Sequence, residues 1–485
     1  MTPVSELISV AHTDLYIDGA WAPASDGQRI DVTDPATGET IASVASASVT
    51  DALRAVAAAS VAFRPWATRP PRARAEILRK AFELMIRDQE KLAELMVREN
   101  GKTLSEARGE VAYAAEFFRW FSEEAVRNIG ALSIAPSGAN RILVEHQPIG
   151  VSVLVTPWNF PAAMATRKIG PALAAGCTVV LKPASETPLS ALAVAGLLEE
   201  AGVPPGVVNV IPSRRSSEVV RAMLKDARVR KLSFTGSTEV GRILLAQAAE
   251  NVISCSMELG GNAPFIVLED ADLEAALAGA MIAKMRNTGQ SCIAANRFYV
   301  DARIADRFSS MLARAMGELP MGSGLEPATK VGPVINDPAR KTMLELVDEA
   351  RRQGARVLTG GTRPDRPGSF MPPTVLADVA SDAHILQEEI FGPIAPIVTF
   401  RDVAEAIAYA NKTDRGLASY VFTRDLAKGL AVAEAIESGM VGLNRGFISD
   451  PAAPFGGVKQ SGVGREGAHE GLMEFLETKY IATSW

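Results

Sequence analysis

A chain of 485 residues, 47% hydrophobic and 22% charged, is too long for one compact core and reads as two or three domains of ordinary globular composition. Its net charge of -6 offers no basic field, so neither nucleic acid nor an anionic membrane is expected as a partner. Cys177, Cys255 and Cys292 are dispersed and odd in number, and His12, His146, His384 and His469 share no ligand spacing, which argues against a disulfide framework and against a metal site.

The first residues carry Glu6, Asp14 and Asp18 without a basic n-region or an apolar h-region, and no uncharged apolar run reaches the ~18 residues of a membrane span; the chain reads as cytoplasmic. The alanine-rich stretch 55–59 reads as helix. Apolar residues then recur at helical spacing from Ala73 through Ile77, Leu78, Phe82, Met85, Leu92 and Met96, closing at Gly101. Thr103 with Glu106 forms a capping box for a further helix through Phe117 and Phe121. Residues 131–148 read as a polar hairpin turning at Ser137-Gly138-Ala139-Asn140.

From Val151 the pattern alternates. Strands are expected at 151–155, 178–181, 207–211 and 231–234, with helices at 168–175, 188–201, 217–224 and 239–249, a parallel α/β sheet of the nucleotide-binding kind. A second α/β section opens at 264–268 and runs through a helix at 273–284 and a strand at 297–301 toward Val441. The last residues, 480–485, are β-prone and are expected to pair with the hairpin across subunits.

Chemistry concentrates at Cys292, in Asn287-Thr288-Gly289-Gln290-Ser291-Cys292, and at Glu258, in Met257-Glu258-Leu259-Gly260-Gly261-Asn262. An isolated cysteine is most often a small buried hydrophobe. A thiol among small, flexible residues with a candidate carboxylate base is also what covalent acyl chemistry needs, since a thiolate attacks a carbonyl and a second group then activates water. Gly236 and Ser237 follow a strand and open a helix, where free N–H groups and the helix dipole favour an anion such as a pyrophosphate. Gly-x-Gly-x-x-Gly is absent after every strand, so a dinucleotide is expected to be held differently from the common fold.

Taken in order, Thr156-Pro157-Trp158-Asn159-Phe160-Pro161, Lys182-Pro183-Ala184-Ser185, Phe234 to Gly241, Met257 to Asn262, Gly289 to Cys292 and Glu388 to Pro393 resemble the aldehyde dehydrogenase superfamily over nearly the whole chain. The resemblance implies a Rossmann-like dinucleotide domain from residues 1–124 and 147–257 and an α/β catalytic domain from 258–457. A small β arm, 125–146 and 458–485, would join subunits in a dimer or tetramer. It implies Cys292 as nucleophile, Glu258 as the base for water, and Asn159 with the Cys292 backbone N–H as oxyanion donors. Thr156, Pro157, Trp158, Asn159, Lys182, Pro183, Ala184, Ser185, Gly236, Ser237, Leu259, Glu389 and Phe391 would hold the coenzyme. Lys168 and Glu466 match positions that relay protons and order the site.

Ser185 stands where many NAD-selective relatives carry a glutamate; its neutral hydroxyl leaves room for NADP beside NAD. Arg167, Arg286 and Ser449 resemble the carboxylate-binding set of the succinate semialdehyde dehydrogenase branch, with Arg445 as a possible third cation. Ala294 stands where many relatives have a second cysteine, so no redox switch between near neighbours is expected. The substrate implied is a small anionic aldehyde, succinate semialdehyde first, with sulfolactaldehyde or glutarate semialdehyde as alternatives. A CoA-acylating dehydrogenase is disfavoured because it would not need the base Glu258.

Overall fold

The computed structural model describes residues 12–485; the first eleven residues of the expected dinucleotide segment, Glu6 among them, lie outside the described residues. Two large sheets organise the chain. In the first, five parallel strands lie in the order Val208–Val210, Thr178–Lys182, Val151–Val155, Val229–Thr235, Ser254–Glu258. Antiparallel strands Leu15–Ile17 and Gly462–Val463 flank them, and Ala20–Ala22 pairs outside Leu15–Ile17 as the edge. The strand order reverses between Val151–Val155 and Val229–Thr235, the switch point at which open α/β sheets bind ligands beyond their carboxyl ends. The helices Pro161–Ala175 and Pro188–Ala201 connect these strands, and their buried apolar faces form one continuous core with the N-terminal helices.

The apolar run expected from Ala73 to Gly101 folds as two helices, Pro71–Arg87 and Gln89–Asn100. They part at Asp88, whose carboxylate and that of Glu200 both hold the Arg87 guanidinium. The capping box is formed: Thr103 accepts from the Glu106 amide and Glu106 from the Thr103 amide, opening the helix Leu104–Glu124.

The second sheet has the order Arg356–Thr359, Thr374–Ala377, Ile394–Phe400, Ala295–Asp301, Ala263–Val267, Ala418–Phe422, Met440–Leu443, parallel except at its first strand. A three-stranded arm joins Ala131–Ile134, Arg141–Pro148 and Leu476–Thr483. Here one expectation is corrected. The hairpin and the C-terminal strand pair within one chain, Leu476 opposite Pro148 through Thr483 opposite Arg141, rather than across subunits. The strand also begins four residues earlier than its β-prone end, because the eight-residue partner strand sets its length. Of the stretch 458–485, only Leu476–Thr483 joins the arm, since Gly462–Val463 returns to the first sheet. Strand Ala131–Ile134 is exposed throughout and is the arm's free edge. Among the described residues no helix is long and apolar enough to cross a membrane, and no three His, Cys, Asp or Glu side chains form a metal-holding group.

Candidate active site

Four strands of the first sheet end at one cleft. Val155 and Thr156, Lys182, Thr235 and Glu258 all line a cavity of about 490 Å³, closed from the second sheet's side by Cys292, Glu389 and Phe391. Pro157, Trp158, Asn159, Ala184, Ser185, Gly236, Ser237 and Leu259 complete the expected set, while Pro183 does not reach the cavity. Glu186, Ser216 and Val240 also line it and were not anticipated. Ser216 opens a helix whose start carries no side-chain cap, a signal visible only once that loop is folded against Ser185.

The nucleophile loop is held by conformation and by hydrogen bonds. Asn287, Thr288 and Gly289 take three consecutive left-handed backbone conformations, φ 52°, 56° and 76°. A side chain at Gly289 would also drive its Cβ to 2.3 Å from the Gly392 carbonyl oxygen, so only glycine fits. Asn287 N–H donates to Glu106 (2.6 Å), its Nδ2 donates to the Asn159 carbonyl (2.8 Å), and Asn159 Nδ2 donates to the Gln290 carbonyl (3.3 Å). Gln290 Oε1 accepts from Ile335 N–H at 2.8 Å. Behind Asn159 the buried Lys102 donates to its carbonyl (2.9 Å) and pairs with Glu110, which also accepts from the Ala162 and Ala163 amides. Lys102, in the loop before the helix Leu104–Glu124, and Glu110, on that helix, escaped the sequence reading because buried ionic groups follow no periodic signal.

Glu258 is buried, not a surface acid, and its Oε2 has no hydrogen-bond partner among the described residues. Burial, reinforced by the neighbouring Glu466 carboxylate, holds its proton on to well above the usual carboxylate range, with Lys168 and Arg167 opposing. Glu466 in turn accepts from Lys168 Nζ at 2.5 Å and lies 3.6 Å from Arg167. Burial pushes the Cys292 thiol up to about 12, aided by Glu389 and countered by Arg167. The amine of Lys182 is drawn down by burial to about 8. Phe391, at φ 53°, sets its ring edge-to-face against Trp158 at 5.4 Å.

Further in lies a cationic cluster. Arg167, buried, donates to Tyr113 and at 3.4 Å to Ser449, and Tyr113 and Ser449 are hydrogen-bonded to each other at 2.5 Å. Tyr113 was missed: on the helix Leu104–Glu124 its spacing is that of core. Arg286 lies over three rings, Phe160 at 4.6 Å, Phe447 at 4.9 Å and Tyr113 at 5.8 Å. Arg167 forms an ion pair with Glu466; Arg286 forms none among the described residues. Arg445 is exposed, its Nε donating to the carbonyl of Phe447, whose ring lies under Arg286.

The cleft fits a nicotinamide dinucleotide. Thr235 Oγ1, Asn159 Oδ1 and Glu258 Oε2 are buried around it without partners among the described residues, Phe234, Val240 and Leu259 offer apolar walls, and the helix Thr238–Ala249 opens beside Gly236 and Ser237.

Residues 21–481 match the model of the aldehyde dehydrogenase family. The chain is 55% identical to a succinate-semialdehyde dehydrogenase of Paenarthrobacter nicotinovorans, over 91% of this chain and 98% of that one. Two proteins of Pseudomonas putida are similar as well: a glutarate-semialdehyde dehydrogenase, 50% identical over 97% of each chain, and a 3-sulfolactaldehyde dehydrogenase, 47% identical over 98% of this chain and 97% of that one. The crystal structure of an E. coli NADP dependent enzyme superposes with a TM-score of 0.97 at 48% identity, covering 98% of this chain and 99% of that chain. A thiol and a buried carboxylate facing one dinucleotide-sized cleft, matched from end to end by such relatives, make this chain a member of the aldehyde dehydrogenase family and an oxidoreductase that uses a nicotinamide dinucleotide.

Proposed function

We propose that the protein oxidises a small anionic aldehyde, succinate semialdehyde first, to the carboxylic acid through a thioester on Cys292. The observation that carries the reading is that the thiol and a buried base line one cleft, while Arg286, six residues before the thiol, has no ion-pair partner among the described residues. A carboxylate four carbons from end to end would supply the counter-charge.

In this reading the Cys292 sulfur, once deprotonated, bonds to the aldehyde carbon, and the carbonyl oxygen becomes an oxyanion. Asn159 Nδ2 and the Cys292 N–H hold that oxygen, donors of a kind whose loss typically costs about 3 to 4 kcal/mol. A nicotinamide bound in the cleft would supply the acceptor for the hydride leaving that carbon. What remains on Cys292 is a thioester. Glu258 removes a proton from water, the hydroxyl oxygen bonds to the acyl carbon, and the carbon–sulfur bond breaks to free the acid and the thiol. Glu466 and Lys168, bonded at 2.5 Å behind Glu258, tune when that proton can move.

The coenzyme is proposed to be either NAD or NADP. Ser185 brings no carboxylate to the adenosine end, although Glu186 lines the same cavity. Sulfolactaldehyde and glutarate semialdehyde fit the same charge logic, and acyl transfer to CoA is disfavoured by a base suited to water. The free, exposed edge Ala131–Ile134 supports a homo-oligomer joined through the arm, with 1–124 plus 147–257 holding the coenzyme and 258–457 the thiol. Initial rates for anionic and neutral aldehydes with each coenzyme test the reading; a preference for butanal over every anionic aldehyde would sink it.

A further inference from the structure

Arg415 lies outside every motif that marks the site, in the two-residue strand Arg415–Gly416 that pairs with Val458–Lys459. Its guanidinium nevertheless reaches the coenzyme cleft from behind. Arg415 Nη1 lies 3.6 Å from Glu389 Oε2, while Glu389 Oε1 accepts from the Gly261 N–H at 2.9 Å. The two oxygens of one carboxylate are thus held by a cation and by an amide.

The groups around Glu389 make Arg415 the one that matters. The Cys292 thiol faces it and feels its charge. On its own segment Glu388 is engaged by His384 at 3.2 Å, and Asp414 lies 4.0 Å from Arg415 Nε on the solvent side. No other cation is paired with Glu389 among the described residues. The far face of Arg415 lines a second cleft, about 510 Å³, with Tyr299, Tyr409 and Lys412. Arg415 therefore stands as the wall between that cleft and the carboxylate.

We propose that Arg415 is a positioning residue for coenzyme binding, holding the Glu389 carboxylate charged and in place so that it can accept hydrogen bonds from the ribose hydroxyls of the coenzyme. The proposal rests on the reading of Glu389 as that ribose acceptor. A neutral carboxylic acid would be a weaker acceptor and would spend its own proton as a competing donor. Burial raises Glu389 to about 7 even though the Gly261 N–H and then the Arg415 charge oppose it.

The test is the dissociation constant of NADP, and of NAD, by equilibrium fluorescence titration from pH 5.5 to 9.5, alongside kcat and coenzyme KM, for wild type, Arg415→Gln, Arg415→Lys, Glu389→Gln and the double variant Arg415→Gln with Glu389→Gln. Arg415→Gln should move the acidic limb of coenzyme binding to higher pH and weaken binding at pH 7 by about fivefold, as expected when an opposite charge worth about one pKa unit is lost. Arg415→Lys should restore most of it. With Gln at 389, removing Arg415 should change nothing further. A pH-independent loss in Arg415→Gln, or additive losses in the double variant, would overturn the proposal while leaving Glu389 in its role. Unchanged coenzyme binding in Glu389→Gln would instead overturn the reading of Glu389, and the proposal with it.

Discussion

Arg286 is the cleaner of the two buried-side arginines to remove. Replacing it with Met keeps a long apolar side chain among Phe160, Phe447 and Tyr113, whose rings lie 4.6, 4.9 and 5.8 Å from the guanidinium, and deletes only the charge. No acid is stranded, because Arg286 has no ion-pair partner among the described residues. The expected loss is that of a charge-assisted hydrogen bond to the distal carboxylate, about 1.5 to 3 kcal/mol, or roughly 10- to 150-fold in kcat/KM. Butanal, which has no such group, should lose little, since cation–π contacts at partly exposed rings contribute only about 0.5 to 1 kcal/mol each and Met replaces much of the packing. Arg167→Met should behave differently. It strips Glu466 of one partner at 3.6 Å, beside Glu258, and breaks the Tyr113 and Ser449 bonds, so all aldehydes should suffer. The assay is kcat/KM for succinate semialdehyde and butanal in the three proteins. An equal drop for both aldehydes in Arg286→Met would refute the anionic reading.

Glu258→Gln should release one equivalent of reduced coenzyme in a burst and then stall at the thioester; steady-state rates equal to wild type would remove Glu258 from hydrolysis. Because Glu258 keeps its proton to well above the usual range, the wild-type deacylation rate should climb with rising pH, and the variant should lack that limb. Ser185→Glu should weaken NADP selectively by like-charge repulsion, and Glu186→Gln should strengthen it; coenzyme kcat/KM ratios unchanged in both would place the determinant elsewhere. Lys284 is wholly buried with an unpartnered amine that burial draws down to about 7, so its unfolded form binds a proton more readily and stability falls as pH drops from about 10 toward 7. Lys284→Met should therefore raise the melting temperature by a few degrees at pH 7, from a penalty of at most about 4 kcal/mol, and by less at pH 9; a lower melting temperature at pH 7 would mean the amine has a partner in solution.

Local features were legible because local physics writes them. Strand Val151–Val155, helix Pro188–Ala201 and the Thr103–Glu106 capping box follow from β-branched runs, Pro and Gly punctuation and a side-chain spacing of three. The residues expected to serve catalysis and the coenzyme were picked by motif, and all but Pro183 line the cleft. What stayed hidden depends on contacts between distant segments. Tyr113 meets Ser449 across 336 positions, Lys231 meets Glu474 across 243, and the break at Asp88 needs Glu200 in place to hold Arg87. The register that keeps the C-terminal strand in its own chain is likewise set by Arg141–Pro148, not by its own composition.

Charge state was the least legible property, and it leads to a last prediction. Burial moves four ionisable groups on the cleft wall toward their neutral forms: the Cys292 thiol to about 12, Glu389 to about 7, Lys182 to about 8, and Glu258 well upward. Behind the wall lie the Lys168–Glu466 pair and Arg167. Coenzyme capture then needs two opposite conditions at once. Glu389 must have lost its proton to accept from a ribose, which favours pH above about 7; Lys182 must have kept its own to attract the adenosine-side anion, which favours pH below about 8. Since kcat/KM for the coenzyme reports ionisations of the free enzyme, it should trace a narrow bell between these limbs. Lys182→Arg, whose guanidinium stays charged throughout, should remove the alkaline limb and leave the acidic one. A profile flat from pH 6 to 9 in wild type, or an alkaline limb that survives in Lys182→Arg, would show that these two groups do not govern capture.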